Sequence, residues 1–136
     1  MNLIYQYMIT GEATDARGDV VEYNGTRSEL YNEVADISVK SFQLYSEKIG
    51  CEHHYSTKKV YTDGMDGSSV LLFEVLRLIY DPIYDKYDKV LFVDTDIVCN
   101  TEEDIFQVSD SEVYGVLESD IKTGGSGGGG YNAWDY

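Results

Sequence analysis

The chain is poor in cysteine and in basic residues. Its 136 residues include two cysteines, Cys51 and Cys99, too few for a disulfide framework, which favours a reducing compartment. Only 10 lysines and arginines stand against 25 aspartates and glutamates, which gives a formal net charge of −15. No basic cluster is larger than Lys58-Lys59. Because such a chain repels nucleic acid and anionic membrane surfaces, we expect neither as a partner.

Long apolar runs and a targeting segment are also missing. No apolar run approaches the roughly 20 residues of a transmembrane helix. The segment Met1–Tyr7 lacks the basic start and the apolar centre of a secretory signal peptide. We therefore expect a cytoplasmic protein without a membrane span. Hydrophobic residues still make up 43% of the chain, enough for a core, and the length fits a single domain over residues 1–136.

The most informative motif is a pair of carboxylates at the end of an apolar run. The segment Lys89–Val93 predicts a buried strand, and Asp94-Thr95-Asp96 follows it directly. Open α/β folds bind ligands at the carboxyl edge of the sheet, where this strand would place both acids. Neighbouring carboxylates repel each other unless a cation lies between them or both stay in water. The motif therefore predicts either a Mg²⁺ or Mn²⁺ site completed by substrate phosphates, or a solvated acidic turn.

A strand, a polar segment and a helix are predicted in the first part of the chain. The segment Leu3–Thr10 carries bulky residues on both faces, as in a parallel strand covered by helices. The glycine-punctuated segment Gly11–Arg27 predicts a loop or loose hairpin, either part of a nucleotide pocket or an ordinary surface loop. Ser28 and Gly50 bracket a predicted helix. The apolar positions that set its period are Leu30, Val34, Ile37, Leu44 and Ile49.

A second predicted helix is strongly apolar. It begins at Ser68 or Ser69 and ends before Asp81-Pro82, and only Glu74 and Arg77 interrupt its hydrophobicity. These two residues lie on one helical face, which predicts an intrahelical ion pair. The alternative is that Arg77 reaches the sheet edge to neutralise a phosphate or a leaving group.

The segment between the two predicted helices contains adjacent histidines. A short strand is expected to end at Val60-Tyr61, before a turn. Neighbouring residues in a strand point to opposite faces, so His53 and His54 are poor candidates for a shared metal. We expect both to be surface residues.

The last part of the chain is lower in complexity. Asn100–Phe106 predicts a short helix or turn, and Val113–Leu117 predicts another strand. The glycine-rich segment Gly124–Gly130 predicts a flexible loop. Three aromatic residues follow it, and they predict either stacking on a sugar or docking on the core: Tyr131, Trp134 and Tyr136.

The segment Tyr87–Val98 resembles a family signature. It is similar to the YDKVLYLDxDxxV motif of nucleotide-sugar glycosyltransferases with the glycosyltransferase-A fold, particularly the family 8 group of glycogenin and lipopolysaccharide galactosyltransferases. Arg77 lies 94 − 77 = 17 residues before Asp94, matching the helix position of a donor-binding arginine or lysine in that group. The resemblance covers Val70–Phe106 well and the rest of the chain loosely.

This resemblance implies an α/β fold with a mainly parallel twisted sheet and flanking helices, of the glycosyltransferase-A type. It implies that Asp96 coordinates Mn²⁺ or Mg²⁺, that Asp94 shares the metal and meets ribose or sugar hydroxyls, and that Arg77 contacts the donor. The residues it places against the nucleotide sugar are Ile9, Thr10, Gly11, Arg77, Asp94, Thr95 and Asp96. The implied reaction transfers a sugar from a nucleotide diphosphate sugar, a UDP-sugar, to a hydroxyl of a glycan or another acceptor.

The chain departs from the family pattern in two ways. Members of this fold continue well past 136 residues, with an NxG stretch and a distal histidine that completes the metal shell, and neither is present here. The resemblance therefore corresponds only to the donor-binding part of such an enzyme.

Two alternative functions stay open. One is a haloacid-dehalogenase-type phosphatase using Asp94 and Asp96, although Ile97-Val98 follows the motif where that family has threonine or glycine-threonine. The other is a non-catalytic nucleotide- or cation-binding fragment.

Overall fold

The computed structural model describes residues 1–14, 20–23, 28–65 and 68–108. The chain forms two compact units, Met1–Asp104 and Ile105–Tyr136. In the second unit the described residues include a short 3₁₀ helix, Ile105–Gln107. The expected strand Val113–Leu117, the glycine-rich segment and the aromatic residues after it lie outside the described residues. The expectation of a single domain stays a prediction.

The first unit combines a parallel sheet with a separate hairpin. Its strands and helices in chain order are β1 (Leu3–Tyr7), β2 (Gly11–Thr14), β3 (Val20–Tyr23), α1 (Ser28–Ile49), β4 (Glu52–Ser56), α2 (Arg77–Tyr80) and β5 (Val90–Phe92). The parallel sheet has the order β4-β1-β5, with Tyr5 opposite both His54 and Phe92. Strands β2 and β3 pair antiparallel. The α/β class, the parallel sheet and the hairpin after the first strand are confirmed.

Strand β1 lies at the centre of the sheet, and the strand order reverses there. The chain leaves β1, passes through α1 and forms β4 on one side, and later returns to form β5 on the other side. The carboxyl ends of β1 and β5 are therefore neighbours at the reversal point. In open α/β sheets this is the position where a crevice forms and ligands bind.

The two faces of the sheet have different chemistry. The face with Leu3 and Tyr5 packs against Tyr84 in an aromatic cluster. Tyr7 belongs to the same face, and its ring stacks on Phe92 with centroids 5.6 Å apart. The opposite face lies against α1 and carries a buried polar side chain, Gln6. Helical segments thus cover the central strand on both faces, as a parallel sheet requires.

Helix α1 begins and ends where the sequence predicts. Gly50 has φ of 73°, a conformation that glycine adopts without a Cβ penalty, and it ends the helix. The N–H groups of Gly50 and Cys51 both donate to the carbonyl of Ser46, at 2.9 and 3.0 Å. These bonds satisfy a carbonyl that the helix itself would leave unpaired.

The buried face of α1 is not the aliphatic one. Leu30, Ile37 and Leu44 are exposed. The buried residues of the helix are Ala35, Ser38, Phe42, Tyr45 and Ser46. The period of the aliphatic residues thus predicts the helix but not its packing face, because buried serines and aromatic residues define that face.

The second helical segment is mostly a 3₁₀ helix. Ser68–Leu76 is 3₁₀, and only α2 is α-helical. Asp81 ends α2, and its side chain accepts a hydrogen bond from the N–H of Ile83 at 3.1 Å, which caps the 3₁₀ helix Pro82–Tyr84. The break at Asp81-Pro82 is confirmed.

The expected short strand is present as β4, but it ends at Ser56 and not at Val60-Tyr61, because the segment at Val60-Tyr61 forms a turn around a buried carboxylate. Glu74 is 0% exposed and accepts four hydrogen bonds from the turn. Its donors are the N–H groups of Val60, Tyr61 and Thr62, at 2.8 to 3.0 Å, and the Thr62 hydroxyl, at 2.7 Å. Burial raises the pKa of Glu74, but these hydrogen bonds outweigh burial and leave the pKa below its ordinary value.

We expect Glu74→Gln to destabilise the first unit. The amide keeps one acceptor oxygen and turns an NH₂ group towards backbone N–H donors, so buried donors lose their partners. The expected loss in free energy of unfolding is about 2 kcal/mol. Glu47→Gln, at an exposed position of α1, is the matched control and should leave the urea midpoint unchanged. Equal midpoints for both variants would contradict this role of Glu74.

Candidate functional site

The acidic pair lies on a tight turn at the end of β5. The N–H of Ile97 donates to the carbonyl of Asp94 at 3.4 Å, closing a four-residue turn. Thr95 in the middle of the turn is buried, whereas Asp94 and Asp96 are exposed. The buried Thr95 therefore holds the turn against the protein, and both carboxylates face solvent. The prediction that a strand places two acids at this edge is confirmed, but β5 is half-buried and not buried as expected.

The electrostatics of the turn suit a cation. The pKa of Asp94 is raised, first by partial desolvation of its carboxyl and second by the negative charge of Asp96. A bound cation would relieve this repulsion. In the part of the chain that the structure describes, no third histidine, cysteine, aspartate or glutamate joins the pair. Two carboxylates match the donor set of Mg²⁺ or Mn²⁺, which take their other ligands from water and phosphate. An outward pair is also what a solvated turn shows.

A buried carboxamide connects this turn to the sheet and the helix. Gln6 is 0% exposed, and its Nε2 donates to Ser38 Oγ at 2.9 Å and to the carbonyl of Asp94 at 3.4 Å. Its Oε1 lies 3.0 Å from Nε2 of His53. An amide oxygen can only accept, so this nitrogen of His53 carries the proton. Every polar atom of the Gln6 side chain therefore has a partner.

Two serines of α1 continue the network to the far end of the turn. Ser38 Oγ donates to the carbonyl of Ile97. Ser41 Oγ donates to the carbonyl of Ser38 at 2.8 Å and accepts from the N–H of Cys99 at 3.0 Å. Side chains of β1 and α1 thus bond three backbone groups of the segment 94–99.

Sequence reasoning missed Gln6 and Ser38. The available signal was a glutamine inside the otherwise apolar strand Leu3–Tyr7, together with serines at helical spacing. A buried polar residue needs a hydrogen-bond partner, so such a position marks a specific contact.

A small pocket of about 160 Å³ opens beside the turn. It is lined by Tyr7, Met8, Ile9, Leu71, Leu72, Asp94 and Thr95. The volume is below the roughly 300 Å³ typical of small-molecule sites, so it suits one part of a ligand. Of the residues predicted to meet a nucleotide sugar, Ile9, Asp94 and Thr95 line this pocket. Asp96 lies in the same turn as Asp94 and Thr95. Of the other three, Thr10 and Gly11 follow Ile9 in the chain, and Arg77 does not line the pocket.

Tyr7 forms one side of this pocket. Its hydroxyl donates to the carbonyl of Leu71 at 2.8 Å and ties the end of β1 to the 3₁₀ helix Ser68–Leu76. Burial raises the pKa of Tyr7 to about 12, and the charges of Asp94 and Glu74 add to the effect. The hydroxyl therefore keeps its proton at neutral pH and remains a donor.

Arg77 is held by its own helix end. Its Nε donates to Asp81 at 3.0 Å, and its guanidinium lies over the ring of Tyr84, 5.4 Å from the centroid. The Arg77 side chain is 12% exposed. The ion pair expected between Glu74 and Arg77 is wrong, because Glu74 turns to Thr62 and its neighbours instead. A contact between Arg77 and a donor phosphate stays a prediction.

The adjacent histidines lie on opposite faces of β4, as predicted. His53 bonds Gln6 on the α1 face, and His54 bonds the hydroxyl of Tyr84 at 3.2 Å on the aromatic face. The expectation that both are surface residues is wrong, since each is half-buried. Residues packed against both faces of the sheet cause this burial.

We expect His53 to make the stability of the protein pH-dependent. Burial, and secondarily His54, lowers the pKa of His53 in the folded state, so the unfolded chain binds more protons below the ordinary pKa of about 6.5. The contribution of His53 to stability is therefore present above that pKa and is lost as the pH falls. Urea midpoints of wild type and His53→Gln should diverge between about pH 7.5 and about pH 5.5, with wild type losing more. Parallel pH profiles would contradict this assignment.

Comparisons with known proteins add no relative. No protein-family model, curated protein or solved structure matches the chain. Within the described ranges, no helix is long and apolar enough to cross a membrane. Only the motif and the geometry of the turn therefore bear on the function of the chain.

Proposed function

We propose that this chain binds a nucleotide-sugar donor in a metal-dependent glycosyltransferase of the glycosyltransferase-A type. The donor is a UDP-sugar, and the acceptor is a hydroxyl of a glycan or another molecule. One observation carries the proposal: Asp94 and Asp96 project from a turn at the carboxyl ends of β1 and β5, where the strand order reverses. The resemblance of Tyr87–Val98 to the family signature supports the same assignment.

In this proposal Asp94 and Asp96 hold Mn²⁺ or Mg²⁺. The donor set fits, because two exposed carboxylates leave coordination positions for diphosphate oxygens. When bound, the cation supplies Lewis-acid stabilisation of the charge on the departing nucleoside diphosphate. The net charge of −15 supports the need for a cation, because an anionic donor would otherwise be repelled.

The remaining residues would orient the donor. Ile9 and Thr95 line the pocket beside the carboxylates, which suits a base or ribose. Thr10 follows Ile9 in the connection after β1, and Gly11 begins β2. Arg77 would contact a phosphate through its Nη groups, because Asp81 already binds Nε.

The proposal predicts Mn²⁺-dependent UDP binding that requires Asp96. Replacing Asp96 by asparagine removes one of two charged ligands, and a charged contact is worth about 1.5–3 kcal/mol, so affinity should fall about tenfold or more. Isothermal titration calorimetry with UDP in the presence of Mn²⁺ measures the change. Asp85→Asn is the matched control, because it removes the same charge from an exposed site in a different turn.

Three results would contradict the proposal. Wild type could fail to bind UDP with Mn²⁺ present, or Asp96→Asn could bind as tightly as Asp85→Asn. Hydrolysis of a phosphomonoester that depends on Asp94, without UDP binding, would instead favour the phosphatase alternative.

A further inference from the structure

We propose that Gln6 and Ser38 are positioning residues that fix the acidic turn for cation binding. This inference rests on the proposed function, since it assumes that Asp94 and Asp96 bind the cation. Neither Gln6 nor Ser38 meets the ligand, so both act through the backbone of the turn.

The acidic turn must hold two like charges close together. Its two carboxylates repel each other, and an unrestrained turn would let them move apart. The carbonyls of Asp94 and Ile97 lie at its two ends, and each accepts a hydrogen bond from the buried pair. Gln6 and Ser38 therefore hold both ends of the turn before a cation arrives. A site fixed in advance loses less entropy on binding.

The hydrogen bonds form a chain in which each side chain donates to the next group. Each residue of the chain therefore has one required donor or acceptor role. His53 donates to Gln6, Gln6 donates to Ser38, and Ser38 donates to the carbonyl of Ile97. Gln6 and Ser38 are both 0% exposed. Loss of the Ser38 hydroxyl would leave a buried N–H of Gln6 without this acceptor and the carbonyl of Ile97 without this donor. A fully satisfied buried network rigidifies the groups it joins, so we expect the loss of one member to loosen the turn.

Helix α1 offers a matched control. Ser46 is 3% exposed, and its hydroxyl donates to the carbonyl of Gln43 at 2.7 Å, within the same helix. Ser38 and Ser46 are thus equally buried serines of one helix, and only Ser38 bonds the acidic turn. Ser38→Ala and Ser46→Ala delete the same hydroxyl group with different consequences for the site.

The experiment measures two quantities on the full chain. One is the affinity for Mn²⁺ in the presence of UDP, whose diphosphate supplies the remaining ligands of the site, followed by electron paramagnetic resonance of the ion. The other is amide hydrogen exchange of Ile97 without metal, because that N–H donates to Asp94 within the turn. Ser38→Ala should weaken Mn²⁺ binding about tenfold, as for other residues that orient metal ligands, and should accelerate exchange at Ile97. Ser46→Ala should match wild type in both.

The outcomes separate this inference from the proposed function. If wild type binds no Mn²⁺, the proposed function is wrong and the inference falls with it. If wild type binds Mn²⁺ and Ser38→Ala binds equally tightly, or if both alanine variants lose affinity equally, only the inference is overturned. Should Ser38→Ala not fold, Ser38→Cys takes its place with the same expectation, because it fills the site with a side chain of similar shape that is only a weak donor.

Discussion

The arrangement of the first unit depends on one buried carboxamide. Gln6 lies in the central strand and bonds helix α1 through Ser38, strand β4 through His53, and the acidic turn through the carbonyl of Asp94. A polar group in this position is costly unless every donor and acceptor is paired, and here they are. The same contacts that satisfy Gln6 therefore set where the two carboxylates stand.

Buried polar residues organise turns on both sides of the sheet. On the α1 face, Gln6 and Ser38 hold the turn that carries the acidic pair. In the segment between β4 and β5, the Glu74 carboxylate accepts hydrogen bonds from the backbone N–H groups of the turn at Val60–Thr62. The hydroxyl of Tyr7, at the end of β1, adds a third such contact by donating a hydrogen bond to the carbonyl of Leu71. Side-chain hydrogen bonds, together with apolar packing, thus hold the walls of the pocket beside the carboxylates.

Local sequence patterns predict part of this structure. The limits of α1, the parallel strands and the carboxylates at a strand end follow from capping residues, apolar runs and glycine. The packing face of α1 and the partners of Gln6 and Glu74 do not, because those bonds join residues far apart in the chain. Gln6 and Ser38 are 32 residues apart, and Gln6 and Asp94 are 88 apart. Only the tertiary fold brings such partners together, whereas periodicity reports the local helix or strand.

The central claim is that a turn fixed by buried hydrogen bonds presents Asp94 and Asp96 to a cation. A crystal structure of the protein with Mn²⁺ and UDP, with anomalous scattering to locate the metal, tests it most directly. The account predicts a manganese peak between the carboxylates of Asp94 and Asp96, with the bonds from Gln6 and Ser38 to the turn retained. A peak elsewhere, or a turn rebuilt without those bonds, would contradict it.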